Sequence, residues 1–289
     1  MPRYLQPFTA EQRAAAEVEV KRLSRALQGR KLEEGDWTDL YCQVKGVPSP
    51  GWSNLPFRDY LHDGVGVEFK LLSRPRPAQD MGRTLMHPSA TRTISFDENG
   101  SAAEATRAVL EQWGRQIEGF RQRIASTSAS GRCDARWGVL LWAADHSQFV
   151  YFEEVLDKPN PRDFEGRWVD GTHRNQPTRN LHIFERATGK KRYSCTLPRN
   201  GAKLQPYFDV PTVEQGAVLF EVPPLTTAPL YVERADLERM RQLFPGSSDE
   251  EIAAKLLAFY LEHGGARSVD LITGNPPYSP SGRPPRRGS

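Results

Sequence analysis

The sequence predicts a mixed α/β fold of the α+β kind: a central mixed sheet flanked by helices, followed by a β-rich and helical C-terminal extension. Three observations carry this. Two stretches repeat apolar residues at helical spacing, a tight hairpin signal lies between them, and two apolar runs of strand length follow the second. Helices interleaved with strands in this order bury one face each against a shared sheet.

Taken in order, Thr9-Ala10-Glu11-Gln12 has the pattern of a capping box and opens a helix that runs to about Leu27. Its Ala16, Val20, Leu23 and Leu27 fall at steps of three and four, one buried stripe. Thr38 to Val44 reads as a short strand. Asp63-Gly64 is a tight-turn pair, and Val65 to Leu72 is β-branched and apolar enough for a buried strand, so a hairpin is expected here. Ser73-Arg74-Pro75-Arg76-Pro77 then makes an irregular loop. Arg92 to Phe96 is a further short strand. Ser101 and Glu104 cap a strong helix whose Ala105, Val109, Trp113, Ile117, Phe120 and Ile124 form one continuous face. Trp137 to Ala144 and Gln148 to Glu154 are two strands joined by a turn at Asp145-His146-Ser147.

From Pro159 to Asn180 the texture changes to Pro, Asn, Gly, Arg and Thr. Leu181 to Thr196 is a second hairpin around Thr188-Gly189-Lys190-Lys191, and Val218 to Val222 is one more strand. Residues 235–263 form two helical segments split by Pro245-Gly246-Ser247-Ser248. Gly274 to Ser289 is rich in Pro, Gly, Ser and Arg and is expected to be disordered. The chain thus divides into a core over 1–156, a β-rich region over 157–225, a helical accessory or dimerisation segment over 226–273 and a tail over 274–289.

At 289 residues the chain has room for one large domain or two modest ones. Its 38% apolar and 26% charged residues are those of an ordinary globular protein. No run approaches the ~20 apolar residues of a membrane span, and the first residues lack the apolar core of a secretory signal. Cys42, Cys133 and Cys195 have no metal spacing, so a reduced, cytoplasmic protein is expected. A net charge of +3 is too mild to identify a nucleic-acid binder, so the distribution of charge must carry that argument.

The chemistry concentrates in Asp59-Tyr-Leu-His-Asp-Gly-Val-Gly-Val-Glu68-Phe-Lys70. With Asp63 and Gly64 at the centre of the turn, pairing runs His62 to Val65, Leu61 to Gly66, Tyr60 to Val67 and Asp59 to Glu68. That register sets two carboxylates roughly 5 Å apart at Cβ. Lys70, two residues beyond Glu68, faces the same side of the sheet. Carboxylates that close repel unless a cation sits between them, and hard oxygen ligands suit Mg2+. A lysine beside them could orient a bound water, so the set has the chemistry of metal-assisted phosphodiester hydrolysis. The plainer reading is an edge hairpin whose charges pair with one another in solvent. Glu-x-Lys alone is cheap, since Glu19-Val20-Lys21 repeats it within the first helix.

This element order, with Asp…Glu-x-Lys on the hairpin, is similar to the restriction-endonuclease-like nuclease fold and its PD-(D/E)xK motif. Gly66-Val67-Glu68-Phe69-Lys70 resembles the Gly-Val-Glu-Leu-Lys stretch of the mismatch-repair nickase branch and its restriction-enzyme relatives. The likeness covers about residues 10–155 and implies a Mg2+-dependent nuclease. Carried over, Glu68 and the Phe69 carbonyl are metal ligands and Lys70 positions the attacking water. The first acid is Asp59 or Asp63; no proline directly precedes either, Pro56 being nearest. A helix acid often joins such sites, here Glu17 or Glu19. Gln112 and Gln116 on the second long helix are possible supporting residues, although a polar helix edge explains them as well. Arg74 and Arg76 stand where a scissile-strand phosphate contact is expected. Lys190, Lys191 and Arg192, with Arg186, Tyr193, Arg199 and Lys203, form the best local concentration of positive charge for DNA.

The resemblance implies double-stranded DNA as partner, a type II restriction enzyme, a homodimer on a palindromic target and a cognate methyltransferase as functional companion, with no membrane. A phage or repair nuclease is the neighbouring reading. Two others compete from further away. Asp270 to Tyr278, with Asn275-Pro276-Pro277-Tyr278, resembles the motif of adenine-N6 methyltransferases, but only eleven residues follow it. Leu230-Tyr-Val-Glu-Arg and the helical pair after it resemble a ribbon-helix-helix regulator, with strand charges that cancel. His146 and His173, with Asn160 between them, would be needed for a ββα-metal nuclease, a fold that their proline-rich setting disfavours.

Overall fold

The computed structural model describes residues 4–27, 30–49, 59–87, 91–97, 100–173, 176–196, 202–222, 241–248, 251–252 and 255. In chain order the elements begin with β1 (Tyr4–Leu5), α1 (Ala10–Ala26), α2 (Glu34–Lys45), β2 (Tyr60–His62), β3 (Val65–Ser73), β4 (Thr84–Met86) and β5 (Thr91–Ile94). They continue with α3 (Ala102–Ser126), β6 (Asp134–Trp142), β7 (Gln148–Val155), β8 (Phe164–His173), β9 (Gln176–Glu185), β10 (Lys191–Thr196), β11 (Ala202–Asp209) and β12 (Val218–Glu221). Two units are distinguished, Met1–Lys21 with Leu32–Val222, and Arg22–Lys31 with Pro223–Ser289.

The first unit holds two sheets. One runs β1-β7-β6-β3-β2, with β12 also on β7; the other runs β4-β11-β10-β9-β8, with β5 on β11. In the first sheet β3 and β6 are parallel and the remaining pairs antiparallel, so it is mixed, and the fold is α+β. A parallel pair needs a long crossover, and α3 lies within the connection. The expected stripe of α3 is buried throughout, from Ala105 to Ile124. It shares one apolar cluster with Val139, Leu141, Val150 and Phe152 of the first sheet and with Leu181, Ile183, Cys195 and Leu204 of the second. Each such side chain contributes about 1.5–3 kcal/mol on full burial. Residues 157–222 therefore share a core with the segment before them.

Two expectations change. Thr38 to Val44 is not a strand but most of α2. Trp37, Leu40, Tyr41 and Val44 recur at steps of three and one, a helical face that is buried. The helix is closed at its start by a reciprocal Glu33–Asp36 capping box and at its end by left-handed Gly46. Between Pro159 and Asn180, where the sequence shows only loop-rich texture, β8 and β9 form a long antiparallel hairpin paired from Phe164–Glu185 to His173–Gln176. β4 and β11 likewise carry no signal that marks them in the sequence.

In the second unit the described residues include a helical turn at Arg241–Leu243 and, after left-handed Gly246, a new helix start. There Ser248 Oγ accepts from the Glu251 amide at 3.2 Å, and Glu251 Oε2 accepts from the Ser248 amide at 3.0 Å. The split at Pro245-Gly-Ser-Ser is thus present. The ribbon-helix-helix strand, Asn275-Pro-Pro-Tyr and the tail lie outside the described residues. No helix among the described residues is long and apolar enough to cross a membrane.

Candidate active site

The turn at the hairpin tip fixes everything that follows. Asp63 and Gly64 have φ of 41° and 73°, the paired positive values of a type I′ turn. The ladder then runs His62–Val65, Leu61–Gly66 and Tyr60–Val67, as the sequence predicts, and stops one residue short of Asp59–Glu68. Gly66 has to lack a side chain. A Cβ there would meet Ile124 and Phe120 of α3 at 2.5 and 2.7 Å, so the glycine lets helix and strand approach closely.

Beyond Val67, among the described residues, β3 is paired with β6 on one side, as far as Ser73. Its other edge is served by side chains. Asp59 Oδ2 accepts from the Phe69 amide at 2.7 Å, Lys70 Nζ donates to the Phe69 carbonyl at 2.7 Å, and His87 Nε2 donates to the Leu71 carbonyl at 3.1 Å. Phe69 itself anchors the strand, fully buried with its ring 5.1 Å from that of Tyr41 on α2. The same helix begins at Glu34, whose carboxylate lies 3.8 Å from Lys70 Nζ.

Glu68 and Lys70 are buried, at 5% and 9% exposure, and meet at 2.8 Å through Glu68 Oε1. Trp137, the parallel neighbour of Glu68, places its ring 5.3 Å from the ammonium and stacks on Trp113 of α3. Burial alone would drive Lys70 towards its neutral form, but Glu68, Glu34 and Asp59 outweigh it and hold its pKa above the ordinary lysine value. Asp59 is pushed up to about 8, first by burial and then by Glu68 and Glu34, against the pull of Lys70 and the Phe69 amide. Burial also raises Glu34, with Lys70 opposing and Glu68 adding to the rise.

Among the described residues no group of three or more His, Cys, Asp or Glu side chains converges on a point that could hold a metal ion. Lys70 Nζ stands between Glu68 and Glu34 instead. The donor set nevertheless suits a hard cation. Three carboxylates face a single ammonium, and Glu68 Oε2 is buried with no hydrogen-bond partner among the described residues. An orphaned carboxylate oxygen is costly in a dry site, and a cation relieves that cost.

Other candidates fall elsewhere. Asp63 is exposed at the turn, three residues of strand, about 10 Å, away from Glu68 once Val65 is reached. Glu17 pairs with Arg13 at 3.8 Å along α1, which also carries Glu19; Glu34 of α2 is a helix acid that the fold brings to Lys70. Gln112 is spent on Ser95, whose amide and carbonyl it binds, and Gln116 lies one turn further along α3. Arg74 is held bidentately by buried Asp80 at 2.6 and 3.1 Å, whereas Arg76 is exposed. Arg192 is largely buried and bridges Glu185 and Asp209, and Lys190 also pairs with Asp209 at 3.2 Å. Lys191 lies over the Tyr207 ring at 4.7 Å. Arg199 and the Lys203 side chain lie outside the described residues. His146 is stacked between Trp142 and Phe149 in the β6–β7 turn, a packing role.

Glu34 and His87 are the site neighbours that sequence reasoning passes over. Glu34 has a signal, since Glu33, Glu34 and Asp36 precede the apolar stripe of α2 as helix-start acids do. His87 has none, because it follows directly on β4 of the second sheet, with its amide on the Pro206 carbonyl of β11. Comparison with family models, with curated proteins and with solved structures finds no match to this chain.

Proposed function

We propose that this chain is a magnesium-dependent endonuclease that hydrolyses phosphodiester bonds of double-stranded DNA, built on a restriction-endonuclease-like core and acting as a type II restriction enzyme. The observation that carries the reading is the acidic edge of β3. Glu68, Glu34, Asp59 and the Phe69 carbonyl gather round one ammonium, and Glu68 Oε2 is left over.

Glu68, Asp59 and the Phe69 carbonyl would hold the cation, with Glu34 as a further carboxylate within reach. A bound Mg2+ supplies charge opposite the phosphate and a water of lowered pKa. Lys70, held as an ammonium by its neighbours, is a hydrogen-bond donor and counter-charge for a phosphate oxygen or the attacking water, not a base. His87 holds the next carbonyl along the edge, that of Leu71. Arg76, exposed just past β3, is the arginine placed for a backbone phosphate. A palindromic target would require a two-fold dimer, and a companion methyltransferase would protect the host sequence.

The test is incubation of purified protein with plasmid DNA in Mg2+ or EDTA. Glu68→Ala and Lys70→Ala are expected to lower cleavage by about 10²–10³-fold or more while folding and salt-sensitive DNA binding persist. Cleavage by both variants at the wild-type rate would sink the assignment.

A further inference from the structure

We propose that the Lys70 ammonium is the resident counter-cation of this site, and that a divalent cation binds only by displacing it. The inference rests on the proposed nuclease reading for the identity of the cation, and on geometry for the exchange. Nζ lies 2.8 Å from Glu68 Oε1, 2.7 Å from the Phe69 carbonyl and 3.8 Å from Glu34 Oε1. Those oxygens belong to the set that would hold the metal, so ammonium and metal contend for the same ligands.

The ammonium fills the position incompletely. It has three N–H donors, and two are spent on Glu68 and Phe69. Glu34 is beyond hydrogen-bond distance, and Glu68 Oε2, on a side chain that is 6% exposed, receives nothing. A divalent cation that takes six oxygen ligands, some of them water, uses acceptors a lysine leaves idle. Nor is the lysine trapped. Its stem is flexible, and the Trp137 ring at 5.3 Å offers the displaced ammonium an aromatic face.

Two consequences follow. The protein can fold around its carboxylates before any metal arrives, because Lys70 neutralises part of their charge. Its affinity for divalent cations is then lower than the ligand set alone would give. Removing the ammonium should strengthen metal binding even though it abolishes cleavage, the reverse of what loss of a metal ligand does.

The test is calorimetric titration of Mg2+ and of Mn2+ into the full chain, comparing wild type, Lys70→Met and Glu68→Gln. Lys70→Met is expected to bind Mn2+ about 10- to 100-fold more tightly than wild type, the range over which neighbours tune a metal site. Glu68→Gln should lose binding. If Lys70→Met is unfolded without metal, its refolding on addition of Mg2+ reports the same exchange, and failure to refold overturns it. Equal or weaker affinity in folded Lys70→Met also overturns the exchange. If wild type cleaves DNA but Lys70→Met shows no gain, only the exchange fails. If Lys70→Met gains affinity but wild type never cleaves, only the nuclease reading fails.

Discussion

The first sheet carries buried charge in two places. At β7 and β6, Glu153 is fully buried, and its Oε1 accepts from Tyr41 and Tyr151 hydroxyls at 2.8 and 2.9 Å. Its Oε2 accepts from Arg136 at 2.8 Å, and Arg136 and Arg132 both reach Asp134. Two carboxylates there meet two guanidinium groups, and both oxygens of Glu153 are used. At the edge of β3 three carboxylates meet one ammonium, and Glu68 Oε2 has no partner among the described residues. Burying an ion costs several kcal/mol unless partners repay it. Glu153 is repaid by its own fold, whereas the Glu68 cluster is left with surplus negative charge. The two places differ in the acceptors left over: none on Glu153, one on Glu68.

Substitution at the two glutamates is the sharpest way to break this contrast. Glu153→Ala strands Arg136 and two hydroxyls in the core and should cost about 3–5 kcal/mol in urea denaturation. Glu68→Ala, despite similar burial, should lose cleavage at a smaller cost of about 1–3 kcal/mol in EDTA, because Lys70 keeps Glu34 and Asp59 nearby. Equal destabilisation by both would erase the distinction.

Acid–base behaviour probes the surplus charge more gently. Burial, with Glu68 and Glu34 beside it, pushes folded Asp59 up to about 8, well above the ordinary aspartate range. The folded state therefore holds a proton that the unfolded chain has released, and this stability declines from about pH 4 and is gone above about pH 8. In EDTA, Asp59→Asn should melt increasingly above wild type as pH rises through that window. Asn can still accept from the Phe69 amide, so the hydrogen bond is kept. A melting difference that stays flat with pH would show Asp59 ionised at no cost.

The hairpin was legible because turn chemistry is local. Asp63-Gly64 sets the register, and the register decides which residues lie across from one another. The same turn carries Asp63 away to the tip and leaves Asp59 beside the Phe69 amide. The stripe of α3 and the strands β6 and β7 were legible for a similar reason, as periodicity is written along one element. α2 misled because Thr38 to Val44 is short and apolar enough for either period, and its helical character rests on caps at Glu33 and Gly46. Glu34 and His87 depend on tertiary packing, one on a helix docked through Tyr41 and Phe69, the other on a strand of the second sheet. The basic cluster at Lys190–Arg192 looked uniform in the sequence, yet Asp209 and Glu185 claim part of it.

Arg74 and Arg76 carry the contrast between committed and uncommitted charge down to single residues two positions apart. Arg74 is bound through two hydrogen bonds to Asp80, and that carboxylate is only 5% exposed. Arg76 is exposed and has no ion-pair partner among the described residues. Arg74→Ala leaves a buried carboxylate without its main donor, so about 1–3 kcal/mol of stability should be lost. Its effect on DNA binding should track that loss, and be small where the protein is fully folded. Arg76→Ala should leave the melting temperature unchanged. If it contacts a phosphate, the slope of log affinity against log salt becomes shallower by about 1, equally on any DNA sequence. A slope unchanged by Arg76→Ala would remove this arginine from the DNA surface.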